Sequence, residues 1–193
     1  MDNVAIVSNS RRDRLKQATL ECHRRLEQAV DAHGYFVDRP SYARWLQRSL
    51  EFHRAAFAAL CPSTVRLCLG PRAIAERLAL FKRDIQDLGA SVPDPGAAMV
   101  AAKRDGAETF GVLYVTEGAT LGARLLVLRA RRLGLDETFG ARALTRQAHD
   151  LQSWKSFVQA LEAFEGNSDQ ETRLVRSSQR TFELAASHFG PPS

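Results

Sequence analysis

The segment Gly111-Val112-Leu113-Tyr114-Val115-Thr116-Glu117-Gly118-Ala119-Thr120-Leu121-Gly122-Ala123-Arg124 carries three glycines, spaced seven and then four residues apart. No proline interrupts it and apolar residues continue on both sides, so it reads as helix. At about 100° per residue, those steps put all three glycines on one face. An interior glycine costs about 1 kcal/mol relative to alanine in a helix, so three on one face need a reason. A strip of bare backbone lets something bulky or flat come very close: a second helix, or a planar cofactor.

Outward from this segment the pattern stays helical. Residues 11 to about 33 carry Leu15, Ala18, Thr19, Cys22, Leu26 and Val30 at three- and four-residue steps, with Gly34 as a stop. A second helix starts near Pro40-Ser41, carries Trp45, Leu46, Leu50, Phe52, Phe57 and Leu60, and ends before Pro62. A short linker leads past Pro71 to a third, with Ile74, Leu78, Phe81 and Ile85 on one face and Gly89 at its end. A proline/glycine loop over 91–96 precedes a short helix expected over 97–103. The glycine-striped helix then runs to Leu133, before Gly134. One or two further helices fill residues 137–166, and the last covers about 169–189. No stretch shows strand alternation bounded by hairpin turns. The expectation is one compact all-α domain over residues 1–193 with six to eight helices, residues 1–10 forming a flexible arm and 190–193 a tail.

The composition, 45% hydrophobic and 25% charged, is that of a globular protein. No apolar run approaches the roughly 20 residues that span a bilayer, and the N-terminus lacks the basic and apolar regions of a secretory signal. Cys22, Cys61 and Cys68 are odd in number and lack metal-site spacing, which points to reduced thiols in a cytoplasmic protein. The net charge is +5, with arginines clustered at Arg11, Arg12 and Arg14 and at Arg124, Arg129, Arg131 and Arg132. Such clusters are either a solvated face or a docking surface for an acidic partner or anionic ligand. No nucleic-acid recognition motif accompanies them. There is no flavin or nicotinamide fingerprint, because Gly118-Ala119-Thr120-Leu121-Gly122 lies inside a helix and does not follow a strand.

His23 lies at the edge of the first helix's apolar stripe. A lone histidine there is usually a packing residue, but a neutral imidazole is also the usual single-histidine ligand of haem iron. Lys16 is two turns earlier and could pair with a ligand carboxylate. Glu27 is one turn later and could accept the other ring N–H. Both also fit as solvated surface charges. His33, His53, His149 and His188 read as surface or edge residues.

With these residues in view, Leu15-Lys16-Gln17-Ala18-Thr19-Leu20-Glu21-Cys22-His23-Arg24-Arg25-Leu26-Glu27 resembles the proximal helix of the haem oxygenase family. Residues 113–123 resemble its distal helix, in the form found in bacterial enzymes associated with bacteriophytochromes. The resemblance implies a haem slot between the first helix and the glycine-rich distal helix. It makes His23 the proximal iron ligand, Lys16 a propionate partner, and Gly118 and Gly122 the distal glycines over the porphyrin. Tyr114 falls near a propionate, Lys155 after Trp154 matches a basic propionate partner, and Phe182 and Phe189 match aromatic walls of the pocket. The distal group is then Gly118, Ala119, Thr120 and Gly122.

There are two departures. Ala119 stands where the family has an aspartate that organises distal water, leaving Thr120, Glu117, another helix or a backbone carbonyl as substitutes, and Gln159 stands where an arginine is expected. The resemblance implies haem b as both cofactor and substrate, O2, and electrons from an acidic ferredoxin or reductase. It implies biliverdin, carbon monoxide and iron as products, and a bacteriophytochrome as a recipient of biliverdin. Two other readings stay open: a non-catalytic haem carrier or sensor, which Ala119 favours, and a haem-free structural or interaction protein. A di-iron protein would need paired Glu-x-x-His motifs, and Glu51-Phe52-His53 has the wrong spacing.

Overall fold

Strong start signals set the helix boundaries in the computed structural model, which describes residues 10–95 and 102–190. The helices are α1 (Arg11–Ala32), α2 (Arg39–Phe57), α3 (Pro62–Leu69), α4 (Ala73–Asp87), α5 (Gly106–Arg132), α6 (Arg142–His149), α7 (Leu151–Glu162) and α8 (Ser168–Phe189). The Ser10 and Asp38 side chains accept from backbone N–H groups at the starts of α1 and α2. Asp105 with Glu108, and Asn167 with Gln170, form reciprocal capping boxes at the starts of α5 and α8. Among the described residues the sole β pairing is the isolated bridge Asp136–Gly140.

Several local expectations change. The linker after Pro62 is itself a helix, α3, because proline at the first helical turn loses no intrahelical hydrogen bond. Helix α2 stops at Phe57 and does not reach Leu60, since Ala59 turns into the left-handed region (φ 59°). The helix expected over 97–103 falls mostly outside the described residues, and residues 102–105 are not helical. The stretch 137–166 forms two helices, because Asp150 ends α6 and caps α7 by accepting from Ser153 N–H.

Helix α5 is the central element. It packs most extensively on α8 and also meets α6, α7, α3 and α2, while α8 in turn carries α1 and α2. At the α5–α8 crossing the two backbones nearly touch. A Cβ on Gly111 would lie 2.6 Å from the Leu174 carbonyl oxygen and 2.7 Å from Ser177 Cβ. Helix α5 has the length and mean hydropathy (1.3) to cross a membrane, yet half of that stretch is buried against other helices. Its Glu117 is 1% exposed and receives two 2.8 Å hydrogen bonds from Arg77 of α4. A buried charge of this kind is tolerated only because its partner is equally committed.

His53 is a core residue, contrary to the surface or edge position read from its sequence. Its ring lies 4.9 Å from that of Phe81 and 5.4 Å from that of Phe57, and Nδ1–H donates to the Ser49 carbonyl at 2.7 Å. Burial, and then the nearby Arg77 cation, push its pKa down to about 3. An unfolded histidine titrates near about 6.5, so between those values the unfolded chain binds the extra proton. The His53 contribution to stability is therefore complete above about pH 6.5 and is lost as the pH falls toward 3, by at most about 1.4 kcal/mol per pH unit. Urea unfolding between about pH 7 and 5 should show this decline. His53→Leu should flatten it over that window, whatever its baseline stability.

Candidate functional site

Lys16, His23 and Glu27 share one face of α1, at steps of seven and four residues. The His23 side chain is 55% exposed. Its ring meets Phe182 of α8 edge-on, with centroids 5.7 Å apart, and Phe182 is itself buried. Nδ1 of His23 lies 3.5 Å from a Glu27 carboxylate oxygen. A proton held on Nδ1 by that carboxylate leaves the Nε2 lone pair available as a ligand. Lys16 is exposed.

The three glycines of α5 serve two purposes. Gly111 belongs to the α8 crossing. Gly118 and Gly122 do not touch another backbone. A Cβ on Gly118 would meet only the Trp154 ring of α7, at 3.8 Å, and one on Gly122 would meet nothing within 4 Å. The bare surface at Gly122 therefore looks onto open space, and that at Gly118 is bordered by the Trp154 ring.

That space lies alongside α1. Helices α1 and α5 are both mounted on α8 and do not pack on each other along their lengths. They are tied at two places. The Tyr114 hydroxyl lies close enough to the Thr19 side chain to interact with it, and Arg129 Nη1 reaches Asp31 Oδ1 at 2.9 Å. The contacts come in the same order on both helices, so the helices run in the same direction with about 18 Å of α1 and about 22 Å of α5 between the ties. His23 and Gly118 each lie one turn beyond the first tie. Burial raises the Tyr114 pKa above that of an ordinary phenol, which keeps its hydroxyl protonated.

Leu20 on α1, and Leu121 and Leu125 beside the glycines on α5, are each more than half exposed. Leucines left in solvent around an open gap mark a surface built for an apolar ligand. These residues were not singled out in the sequence. The available signal was their position off the buried stripes, at helix positions where a polar residue would cost nothing. Trp154, whose ring lies over Gly118 and 6.5 Å from the Tyr114 ring, shows no such signal.

Other sequence candidates lie elsewhere or are committed. Ala119 is exposed, while Thr120 is buried on the opposite side of α5 from Gly118 and Gly122. Its side chain borders a cavity of about 40 Å³ with Arg77, Gln147 and Asp150. Glu117 is held by Arg77. Phe189 packs on Tyr35 and Phe52, both at 6.2 Å. Lys155 is exposed on α7, one residue after Trp154. In the first arginine cluster, Arg11 binds Glu171 and the Leu161 carbonyl, and Arg14 also binds Glu171, fastening α1 to α7 and α8. Arg131 and Arg132 are exposed at the end of α5.

Among the described residues, no group of three or more His, Cys, Asp or Glu side chains could hold a metal ion. One exposed imidazole cannot retain a bare ion, which needs about four ligands. It can hold a metal that brings the rest of its ligands with it, in a planar macrocycle. The bare backbone of α5, the exposed leucines and the flanking lysines suit such a ring, with its apolar faces and anionic edge.

The family model described as heme oxygenase matches residues 10–189. Heme oxygenase PigA of Pseudomonas aeruginosa is 36% identical over 194 residues, covering 94% of this chain and 94% of that protein. The NO- and CO-bound heme oxygenase from Neisseria meningitidis has the same fold, with a TM-score of 0.78 at 22% identity over 94% of this chain and 93% of that one.

The different surroundings of the glycines separate their roles. Gly111→Ala drives a methyl group into the backbone of α8 and should cost about 1–3 kcal/mol, less the helix-propensity gain. Gly122→Ala meets open space and should raise stability by up to about 1 kcal/mol. Chemical denaturation of the two variants checks both signs.

Proposed function

The chain belongs to the haem oxygenase family, and from that premise we propose that it cleaves haem oxidatively to biliverdin, carbon monoxide and iron, with O2 as oxidant and electrons from an external donor. The observation that carries this reading is the pairing of the exposed His23 imidazole with the open, side-chain-free surface at Gly118 and Gly122 on the neighbouring helix. Bound haem b supplies both the iron at which O2 is reduced and the ring carbon that is oxidised.

The chain's own residues position that chemistry. His23 would hold the iron through Nε2, with the Glu27 carboxylate 3.5 Å from Nδ1 placed to orient the ring. Phe182 supports the imidazole from behind. As a ligand, the neutral imidazole would lack the electron push of a thiolate. The side-chain-free backbone at Gly118 and Gly122 would let the other face of the ring come close to α5 and would restrict the room above it. Lys16 and Lys155 pair with the propionates and fix the in-plane orientation, which selects the carbon attacked. Tyr114, tied to Thr19, holds the two walls in register. Ala119 has no side-chain acceptor with which to hold water in the distal space. Arg131 and Arg132, with Arg124, offer a basic rim to an acidic ferredoxin or reductase. A cytoplasmic enzyme that passes biliverdin to a bacteriophytochrome fits this reading.

Hemin added to the purified protein should bind one-to-one and give a Soret band that His23→Ala alters or abolishes. With a reductant and O2, the wild-type band should bleach as a green verdin forms. An unchanged spectrum in His23→Ala would remove the ligand assignment. A Soret band that persists under reduction in air would leave a haem carrier in place of an enzyme.

A further inference from the structure

A second cavity, of about 290 Å³, lies between the N-terminal end of α5 and the face of α8 opposite Phe182. Arg104, Arg173, Arg176 and Arg180 line it, with Glu108 as its one carboxylate. The charges are unevenly matched. Arg173 is paired with Asp105 at 2.8 Å. The Glu108 carboxylate is already engaged by the Asp105 N–H in the α5 capping box. Arg176 and Arg180 are exposed and have no ion pair among the described residues. Arg104 is half-buried and donates Nη1 to the Ala56 and Ala58 carbonyls, at 2.8 and 2.6 Å. Burial pulls its pKa below the ordinary arginine value, and the nearby Glu108 carboxylate offsets only part of that. Arg104, Arg176 and Arg180 thus converge on one concavity whose single lining carboxylate is Glu108.

We propose that this cavity is a binding site for a small polyanion, a molecule carrying two or more phosphate or carboxylate groups on a compact frame. Guanidinium groups bind both kinds of group through paired N–H donors. The carbonyls of Ala56 and Ala58 hold the Arg104 fork in place before any ligand arrives. The volume is at the small end of ligand pockets, which suits a compact anion better than a peptide. The site is separate from the haem slot, because it uses the opposite face of α8 from the one that supports His23. An electron donor docked here would have α8 and the core between it and His23. A ligand bridging Arg104 to Arg176 and Arg180 would clamp the α5 N-terminus to α8 near the Gly111 crossing.

Isothermal titration of the haem-free protein at constant ionic strength tests this, with pyrophosphate and citrate as separate probes. The expected result is saturable one-to-one binding of at least one of them, weakened by about tenfold or more in Arg176→Gln/Arg180→Gln. Hemin affinity should stay unchanged in that variant. Which probe binds identifies the class as phosphate or carboxylate. Both arginines are exposed, and circular dichroism confirms that the variant is folded. Saturation by neither probe, equal binding by wild type and variant, or a parallel loss of hemin binding would each overturn the proposal. The outcome is independent of whether the haem slot turns over.

Discussion

The close approach of α5 to α8 at Gly111 is the contact on which the rest of the structure depends. Two helix backbones meet there with no room for a single methyl group. That crossing fixes where the remaining length of α5 lies relative to α8, and α8 is also the platform for α1. His23 is therefore placed indirectly. Its helix is held by α8, its ring rests on Phe182 of α8, and the glycine-bearing helix α5 is gripped by α8 as well. The site is a gap between two elements that share a support and barely touch each other.

Rotation of α5 about its own axis is the second constraint. The buried Arg77–Glu117 pair locks one side of the helix to α4, and Tyr114 sets another against Thr19 of α1. Together they aim Gly118 and Gly122 at the open space. A buried ion pair is a poor source of net stability but a strong orienting device, because any other rotation would strand a charge in the core. The residues next to the distal glycines thus have structural duties. Glu117 is spent on Arg77, and Thr120 faces a separate polar cavity, so neither lies over the open face.

Much of this was legible in the sequence. The helical period, the capping residues and the glycine spacing set out an all-α chain and its principal helices, and the Lys16–His23–Glu27 face follows from spacing alone. The sequence could not divide the glycines between a helix crossing and an open slot, because all three lie on one face and differ only in what stands opposite. His53 looked peripheral because its burial depends on Phe81 of another helix, whose approach no local pattern encodes. The α3 helix was missed because eight residues between prolines and a glycine carry too short a period to distinguish from a linker. The exposed leucines around the slot were invisible for a related reason. An apolar residue reads as core until the structure shows that nothing covers it.

The most direct test of the account is a crystal structure of the protein with haem bound. The account predicts iron bonded to Nε2 of His23, with the macrocycle in van der Waals contact with the backbone at Gly118 and Gly122 and its propionates directed toward Lys16 and Lys155. Iron ligated by another side chain, or a ring lodged away from the α1–α5 gap, would contradict it.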